Sequence, residues 1–294
     1  MTALRALLAG VIDYAGLFPP AGLDMRTAVR NYASYRADDH AWMLGRFVLP
    51  IARLAEFTQA LSALGEEEEP EWRIIGIVGT DYEADIGAAR TFNAAHAGRA
   101  SIDSIESPLP TEQAVQRVAA ASADAPFALF AEIPIDTDPT ALLAAIKRAG
   151  VSAKVRTGGL TPDACPSADR IARFIRRSIK SGVRFKATAG LHHPLRGEYP
   201  VTYDAGAPVG LMYGYLNLFL AAGFMTHGMR DIDAIRVLEE RSAHAFAITS
   251  LAISWGDFHL TAVQLRRIRS EVAVSFGSCS FREPVDELRA LTLL

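Results

Sequence analysis

The 294-residue chain is 50% hydrophobic with a mean hydropathy of +0.15, which excludes a disordered protein, since chains that stay unfolded are polar and highly charged. Thirty basic against 33 acidic residues leave a formal charge of −3, without the basic surplus that phosphate binding requires, so nucleic acid is excluded as a partner. No run approaches 18 uninterrupted apolar residues and positions 1–10 lack a long apolar stretch, so no membrane partner is expected and a cytoplasmic location is.

In chain order, residues 11–14 read as a strand entering a loop at 15–22, with a helix at 25–37. From 46 to 188 a short apolar run, a Gly-, Pro- or acid-containing loop and an Ala-rich amphipathic stretch alternate, the signature of βα units. The spacing predicts strands at 46–49, 73–78, 101–105, 127–133, 152–156 and 183–188, whose starts lie 27, 28, 26, 25 and 31 residues apart. Helices are predicted at 51–64, 81–95, 111–121, 139–149 and 167–181, with starts marked by Thr111, by Pro139 after Asp138 and by Ser167 after Pro166. Seven evenly spaced βα units without a Gly-rich dinucleotide loop point to an α/β fold of the TIM-type (β/α)8 barrel kind, and no cofactor is expected. The acidic run 66–69 reads as a solvated loop.

After Thr188 the rhythm fails. A Gly-, Pro- and Tyr-containing stretch reaches Pro208, a helix is predicted at 209–224 with an apolar stripe of Leu211, Tyr215, Leu218 and Phe219, and a second helix at 231–240. The stripe suits helical core or a subunit contact, so a homo-oligomer is possible. Residues 245–260 alternate as strands do, leaving the eighth barrel strand either at 246–251 or in a hairpin with 253–260. The expected organisation is a main barrel over 1–200 and a helical and hairpin extension over 201–294 that completes or caps it, with 275–281 reaching over the barrel mouth.

Only four of the thirty basic residues are lysines: Lys147, Lys154, Lys180 and Lys186. Arginine fills the ordinary surface roles, so a lysine here marks a place where an ammonium is wanted. Side chains alternate along a strand, so Val151, Ala153 and Val155 face the helices while Ser152, Lys154 and Arg156 face the barrel axis. In the next strand Val183, Phe185 and Ala187 face out, and Arg184, Lys186 and Thr188 face in. Two inward ammoniums on neighbouring strands are expected to lower each other's pKa, giving a neutral amine able to attack a carbonyl. Asp103, with Glu106 just beyond it, and Glu132 are the carboxylates placed to move protons. Arg156 adds positive field suited to an anionic group. Cys165 and Cys279 lack metal or redox spacing.

Lys154-Val155-Arg156-Thr157-Gly158 resembles the K-x-x-T-G strand-six motif of the deoxyribose-phosphate aldolase family, and Lys186-Ala187-Thr188-Ala189-Gly190 resembles that family's strand-seven K-x-x-G-G region. Ile102-Asp103 stands where the family has an I/V-D pair on strand four. The resemblance covers about 100 residues. It implies a barrel, Lys154 as the Schiff-base nucleophile, Lys186 as the group that tunes it and Asp103 in proton relay. Leu191-His192-His193-Pro194 departs from the family where its phosphate-binding turn would follow, and the last 100 or so residues have no counterpart in it.

The resulting expectation is a class I aldolase-like lyase acting on a small anionic carbonyl compound, with Lys154, Lys186, Asp103 and Glu132 catalytic. Arg156, Thr157, Gly158, Gly159, Thr188, Gly190, His192 and Asp13 would bind the substrate. Two other readings stay open. His192 and His193, with Asp13, His227 and Glu132, carry ligand types suited to a divalent metal, and the barrel could bind a ligand without catalysis. Gly158-Gly159 and Gly277-Ser278 fit either turns or backbone N–H groups offered to an anion.

Overall fold

The computed structural model describes residues 2–65, 71–124 and 127–294, so the acidic run 66–69 lies outside the described residues. Strands β1 (Ile12–Tyr14), β2 (Leu44–Pro50), β3 (Trp72–Ile77), β4 (Ala100–Pro108), β5 (Ala128–Glu132), β6 (Ser152–Arg156) and β7 (Phe185–Thr188) come first. A hairpin of β8 (Gly197–Pro200) and β9 (Val209–Met212) follows, then a sheet of β10 (Phe246–Ile248), β11 (Ala252–Trp255) and β12 (Phe258–Thr261), and finally β13 (Ala273–Ser278). Eight parallel strands close into a barrel in the order β1-β13-β7-β6-β5-β4-β3-β2. It is a (β/α)8 barrel of the TIM type.

Helix α1 (Ala3–Leu8) precedes the barrel, and α2 (Met25–Arg36), α3 (Leu54–Ser62), α4 (Tyr82–Ala95), α5 (Glu112–Ala121), α6 (Thr140–Arg148) and α7 (Ala168–Ser181) are the crossovers. Their starts follow from capping chemistry. Asp24, Asp81, Thr111 and Ser167 each accept the backbone N–H three residues on, satisfying a donor that has no partner inside the helix. At α6 the same service comes from Asp138, whose carboxylate accepts the Thr140 N–H at 3.0 Å.

Outward-facing strand residues meet the helices in a continuous core. Tyr14, Tyr32, Phe47, Phe57 and Trp72 form one aromatic cluster beneath α2 and α3, with ring centroids 4.8–6.2 Å apart. Inward-facing residues form layers along the axis. Arg184 donates to Ser152 at 2.9 Å in a lower layer, Lys154 pairs in register with Lys186 in the next, and Arg156 with Thr188 above them.

Two expectations about the last third of the chain need correction. The eighth barrel strand is β13, paired with β1 and β7, while β10, β11 and β12 form a separate antiparallel sheet. The segment Ala-Val-Ser-Phe-Gly-Ser looks too polar for a barrel strand because its inward residues are small. Ser275 donates to Asp13 on the neighbouring strand β1 at 2.6 Å, while Phe276 stacks outward on Tyr215 at 5.0 Å.

Secondly, helix α8 (Tyr215–Thr226) begins after β9, so Leu211 lies on a strand and only Tyr215, Leu218 and Phe219 of the expected stripe share a helix. Gly214 marks the boundary: a Cβ there would sit 2.3 Å from the Leu195 Cα, so only glycine lets the two chains approach. Residues 215–225 are buried on every side, which fits a helix enclosed by α7, β13 and the helices at Asp231–Glu239 and Ala262–Glu271. The 201–294 segment also supplies one barrel strand, β13. Helices α9 (Asp231–Glu239), α10 (Ala262–Glu271) and α11 (Arg282–Ala290) complete the chain. No helix among the described residues is long and apolar enough to cross a membrane.

Candidate functional site

Lys154 and Lys186 are both buried inside the barrel, and the parity of β6 and β7 sends both toward the axis. An ammonium in that setting needs compensation, since an unpaired buried charge costs several kcal/mol. Glu106, on β4, supplies it to both: Oε2 lies 2.7 Å from the Lys154 Nζ and Oε1 2.6 Å from the Lys186 Nζ. Glu132, at the end of β5, is 3.0 Å from Lys154 and 3.2 Å from the Arg156 guanidinium. Asp13, at the centre of β1, is 2.7 Å from Lys186 and accepts hydrogen bonds from Ser275 Oγ and the Arg46 backbone N–H. The result is an alternating chain Arg156, Glu132, Lys154, Glu106, Lys186, Asp13 running across five strands.

This alternation decides the protonation states. Burial alone would raise the pKa of Glu106, but the two lysines outweigh it and hold the carboxyl at about 2. Burial likewise works to lower the pKa of Lys154, yet Glu106 and Glu132 outweigh it and the amine is raised. The expectation that the neighbouring ammonium depresses Lys154 is therefore overturned in the resting site. A carboxylate sits between them, and its attraction at contact distance exceeds the repulsion of the farther cation.

Above the lysines a cavity of about 320 Å³ opens at the C-terminal ends of the strands, the end where barrel enzymes of this fold carry their sites. Its floor is Glu106, Glu132, Lys154 and Lys186, and its upper walls are largely apolar, with Phe18, Pro19 and Pro20 on the β1 side and Leu160, Val201 and Met212 opposite. Lys154 is the more accessible amine, with 11% of its side chain exposed against 3% for Lys186. Arg156 stands at the rim, 56% exposed. The Ser107 hydroxyl, a wall residue, is buried with no hydrogen-bond partner among the described residues. Ala189, also a wall residue, holds φ of 62°, a left-handed conformation that costs a non-glycine residue and tends to occur at functional sites.

The residues expected to bind substrate divide into two groups. Arg156, Gly159, Thr188, Gly190 and His192 line the cavity. Thr157 and Gly158 instead join the loops after β6 and β7: Thr157 Oγ1 donates to the Ala189 carbonyl at 2.7 Å. A Cβ on Gly158 would lie 3.1 Å from the Gly190 Cα, so glycine is there for close backbone approach. Gly277-Ser278 belongs to β13 and is not a loop. Asp13 is held by Lys186 and reaches the cavity only through it.

Asp103 is placed elsewhere. Its carboxylate is gripped by Arg46 and Arg73, each at 2.6 Å, and it is not among the cavity residues. Asp103 lies nearer the N-terminal end of β4 than Glu106. A bulge separates them: Ile74 pairs with Ile102 but Ile75 pairs with Ser104, so the inward parity of β4 shifts by one residue and Glu106, not Ile105, takes the lysines. Sequence alone signals Glu106 only as a carboxylate at a strand's C-terminal end, Ile105-Glu106-Ser107-Pro108. Cys279 lines the cavity, as the expectation that 275–281 reaches the barrel mouth implies, whereas the contacts of Ser275 with Asp13 and of Glu283 with His192 have no signal in the sequence.

At the rim beside β7 and β13, the His192 Nδ1 lies 3.3 Å from Glu283 Oε2, 3.3 Å from Ser278 Oγ and 3.8 Å from Cys279 Sγ. Burial opposes protonation of His192, but the hydrogen bonds and charges of Cys279 and Glu283 outweigh it and raise its pKa to about 9. His193 turns the other way, stacked on Tyr199 at 3.4 Å and bonded to Glu287 at 2.6 Å. The expected metal set does not assemble: Asp13 and Glu132 are engaged by lysines, and His227 hydrogen-bonds the Gly223 carbonyl at the exposed end of α8. His193, Glu283 and Glu287 do bring polar atoms within 4.8 Å of one another, but the two carboxylates are each already paired with a histidine, and the group reads as two ion pairs. Both cysteines are free thiols.

Compared with known proteins, the chain matches no family model and no curated protein.

Proposed function

We propose that this protein is a Schiff-base lyase of the aldolase type, acting on a small carbonyl compound that carries one anionic group, with Lys154 as the nucleophile. The observation that carries this reading is the Lys154 ammonium at the floor of a mostly apolar cavity, in contact with two carboxylates of unlike character. Glu106 is clamped by two lysines and stays ionised, so it serves as fixed charge. Glu132 touches Lys154 and lines the cavity, so it is the carboxylate able to take a proton and return it.

In this mechanism Lys154 gives a proton to Glu132 and the neutral amine adds to the substrate carbonyl carbon. The resulting carbinolamine loses its hydroxyl as water, protonated by Glu132, and leaves a cationic imine. In the cleavage direction the adjacent carbon–carbon bond breaks and its electron pair passes to the imine nitrogen, giving the enamine. In the addition direction the carbon beside the imine first loses a proton to Glu132, and the resulting enamine supplies the electron pair of the new bond. Lys186 keeps Glu106 and Asp13 in place and adds positive charge beside the reacting centre. Arg156, exposed at the rim, meets the anionic group.

Incubation with a panel of small aldehydes and ketones plus borohydride, followed by peptide mapping, tests the reading. A reduced adduct on Lys154 is expected. Adducts confined to residues other than Lys154 and Lys186, or none, overturn it.

A further inference from the structure

The two poles of the cavity have different chemistry. The lysine pole is on β6 and β7, with Glu106 locked as an anion. His192, buried in the rim loop after β7, supplies the other. Its Nδ1 is fixed by Glu283 and Ser278, and Glu283 is itself held by the Tyr203 hydroxyl at 2.9 Å. No hydrogen bond reaches Nε2 among the described residues. A carboxylate on one ring nitrogen sets the tautomer and orientation of a histidine and leaves the other nitrogen for a reacting group.

Resting on the Schiff-base reading above, we infer that His192 is the acid–base group for the second reactant, an aldehyde that meets the Lys154-bound enamine. In the addition direction the enamine's electron pair forms the new carbon–carbon bond. The aldehyde's π pair becomes the O–H bond by taking the proton from His192 Nε2, and the nitrogen on Lys154 returns to a cationic imine that water hydrolyses. In cleavage, neutral His192 takes the hydroxyl proton back. At the lysine pole Glu106 has no proton to give, Lys186 is held by Glu106 and Asp13, and Glu132 serves the imine steps at Lys154. The pKa of about 9 keeps His192 charged near neutrality, which suits proton donation.

The test separates the two half-reactions, using pyruvate as a small anionic ketone and propanal as acceptor. Deuterium exchange into the pyruvate methyl group reports imine and enamine formation at Lys154, and product formation reports addition. His192→Gln is expected to lower addition by on the order of 100-fold and exchange far less, with free imidazole restoring part of the addition rate in His192→Ala. If His192→Gln fails to fold, Glu283→Gln is expected to lower addition about tenfold relative to exchange, as a freed ring loses its aim. Unchanged addition in these variants, or an equal fall in both rates, overturns the assignment of His192 and leaves the Schiff-base reading standing. Absence of exchange in the unaltered protein overturns that reading, and this inference with it.

Discussion

Two charged clusters lie in the lumen of this barrel, and they differ in the kind of cation. Toward the N-terminal end Asp103 is held by Arg46 and Arg73. At the C-terminal end three carboxylates alternate with Lys154 and Lys186 beneath an open cavity. Guanidinium stays charged at any pH a protein meets and forks onto carboxylates, so the first cluster is a clasp. Ammonium can release a proton to a neighbouring carboxylate, so the second can do chemistry. The same carboxylate type thus serves opposite purposes according to its partner and to whether space has been left beside it.

The largest expected effect is at the upper cluster. Lys154→Met is expected to abolish the borohydride-trapped adduct, read by intact mass, while leaving a folded protein by circular dichroism. An adduct that persists at full yield would break the contrast by moving the chemistry elsewhere.

Glu106→Gln strips both lysines of their shared partner, and removing one member of a buried ion-pair network costs about 3–5 kcal/mol. The measurement is urea denaturation. A loss under 1 kcal/mol would show that water already screens the pair.

Acid acts on the same residue. Glu106 titrates at about 2 in the folded chain against 4.5 as the ordinary value, so its contribution is present above pH 4.5 and lost as pH falls toward 2. The linked stability is about 3 kcal/mol, and Glu106→Gln should flatten that limb. His192 has the opposite sign. With its pKa raised from 6.5 to about 9, its contribution is full below pH 6.5 and is lost as pH rises through 9, so His192→Gln should flatten the alkaline limb.

The smallest effect is expected at the lower cluster. Asp103 is partly exposed, and Asp103→Asn should cost about 1 kcal/mol with adduct formation at Lys154 unchanged. A loss of adduct there would erase the distinction between clasp and site.

The region from Val11 to Thr188 was legible because its signals are local. Alternation sets which strand residues face the axis, and Thr111 and Ser167 announce their helices, so the inward pair Lys154 and Lys186 could be read directly. Asp103 faces the lumen as expected but too near the N-terminal end of its strand, and Glu106 takes its place because a bulge shifts parity by one residue without any mark in composition. The last strand was misread because its inward positions are Ser275 and Gly277, whose small size is a demand of the crowded lumen and not of strand propensity. Val209 to Met212 reads as the start of the following helix because its strand partner, Gly197 to Pro200, lies upstream across a loop.

The chain by itself determined the repeating βα units, the inward face of each strand and the scarcity of lysine that drew attention to two positions. Only the tertiary structure decided which strand closes the barrel, which carboxylate stands between the amines, and that Glu283 holds the His192 ring. Periodicity and capping are set by neighbours within a few residues, whereas ion pairing depends on the field of every charge that folding brings within a few ångströms, and that distance has no image in sequence separation.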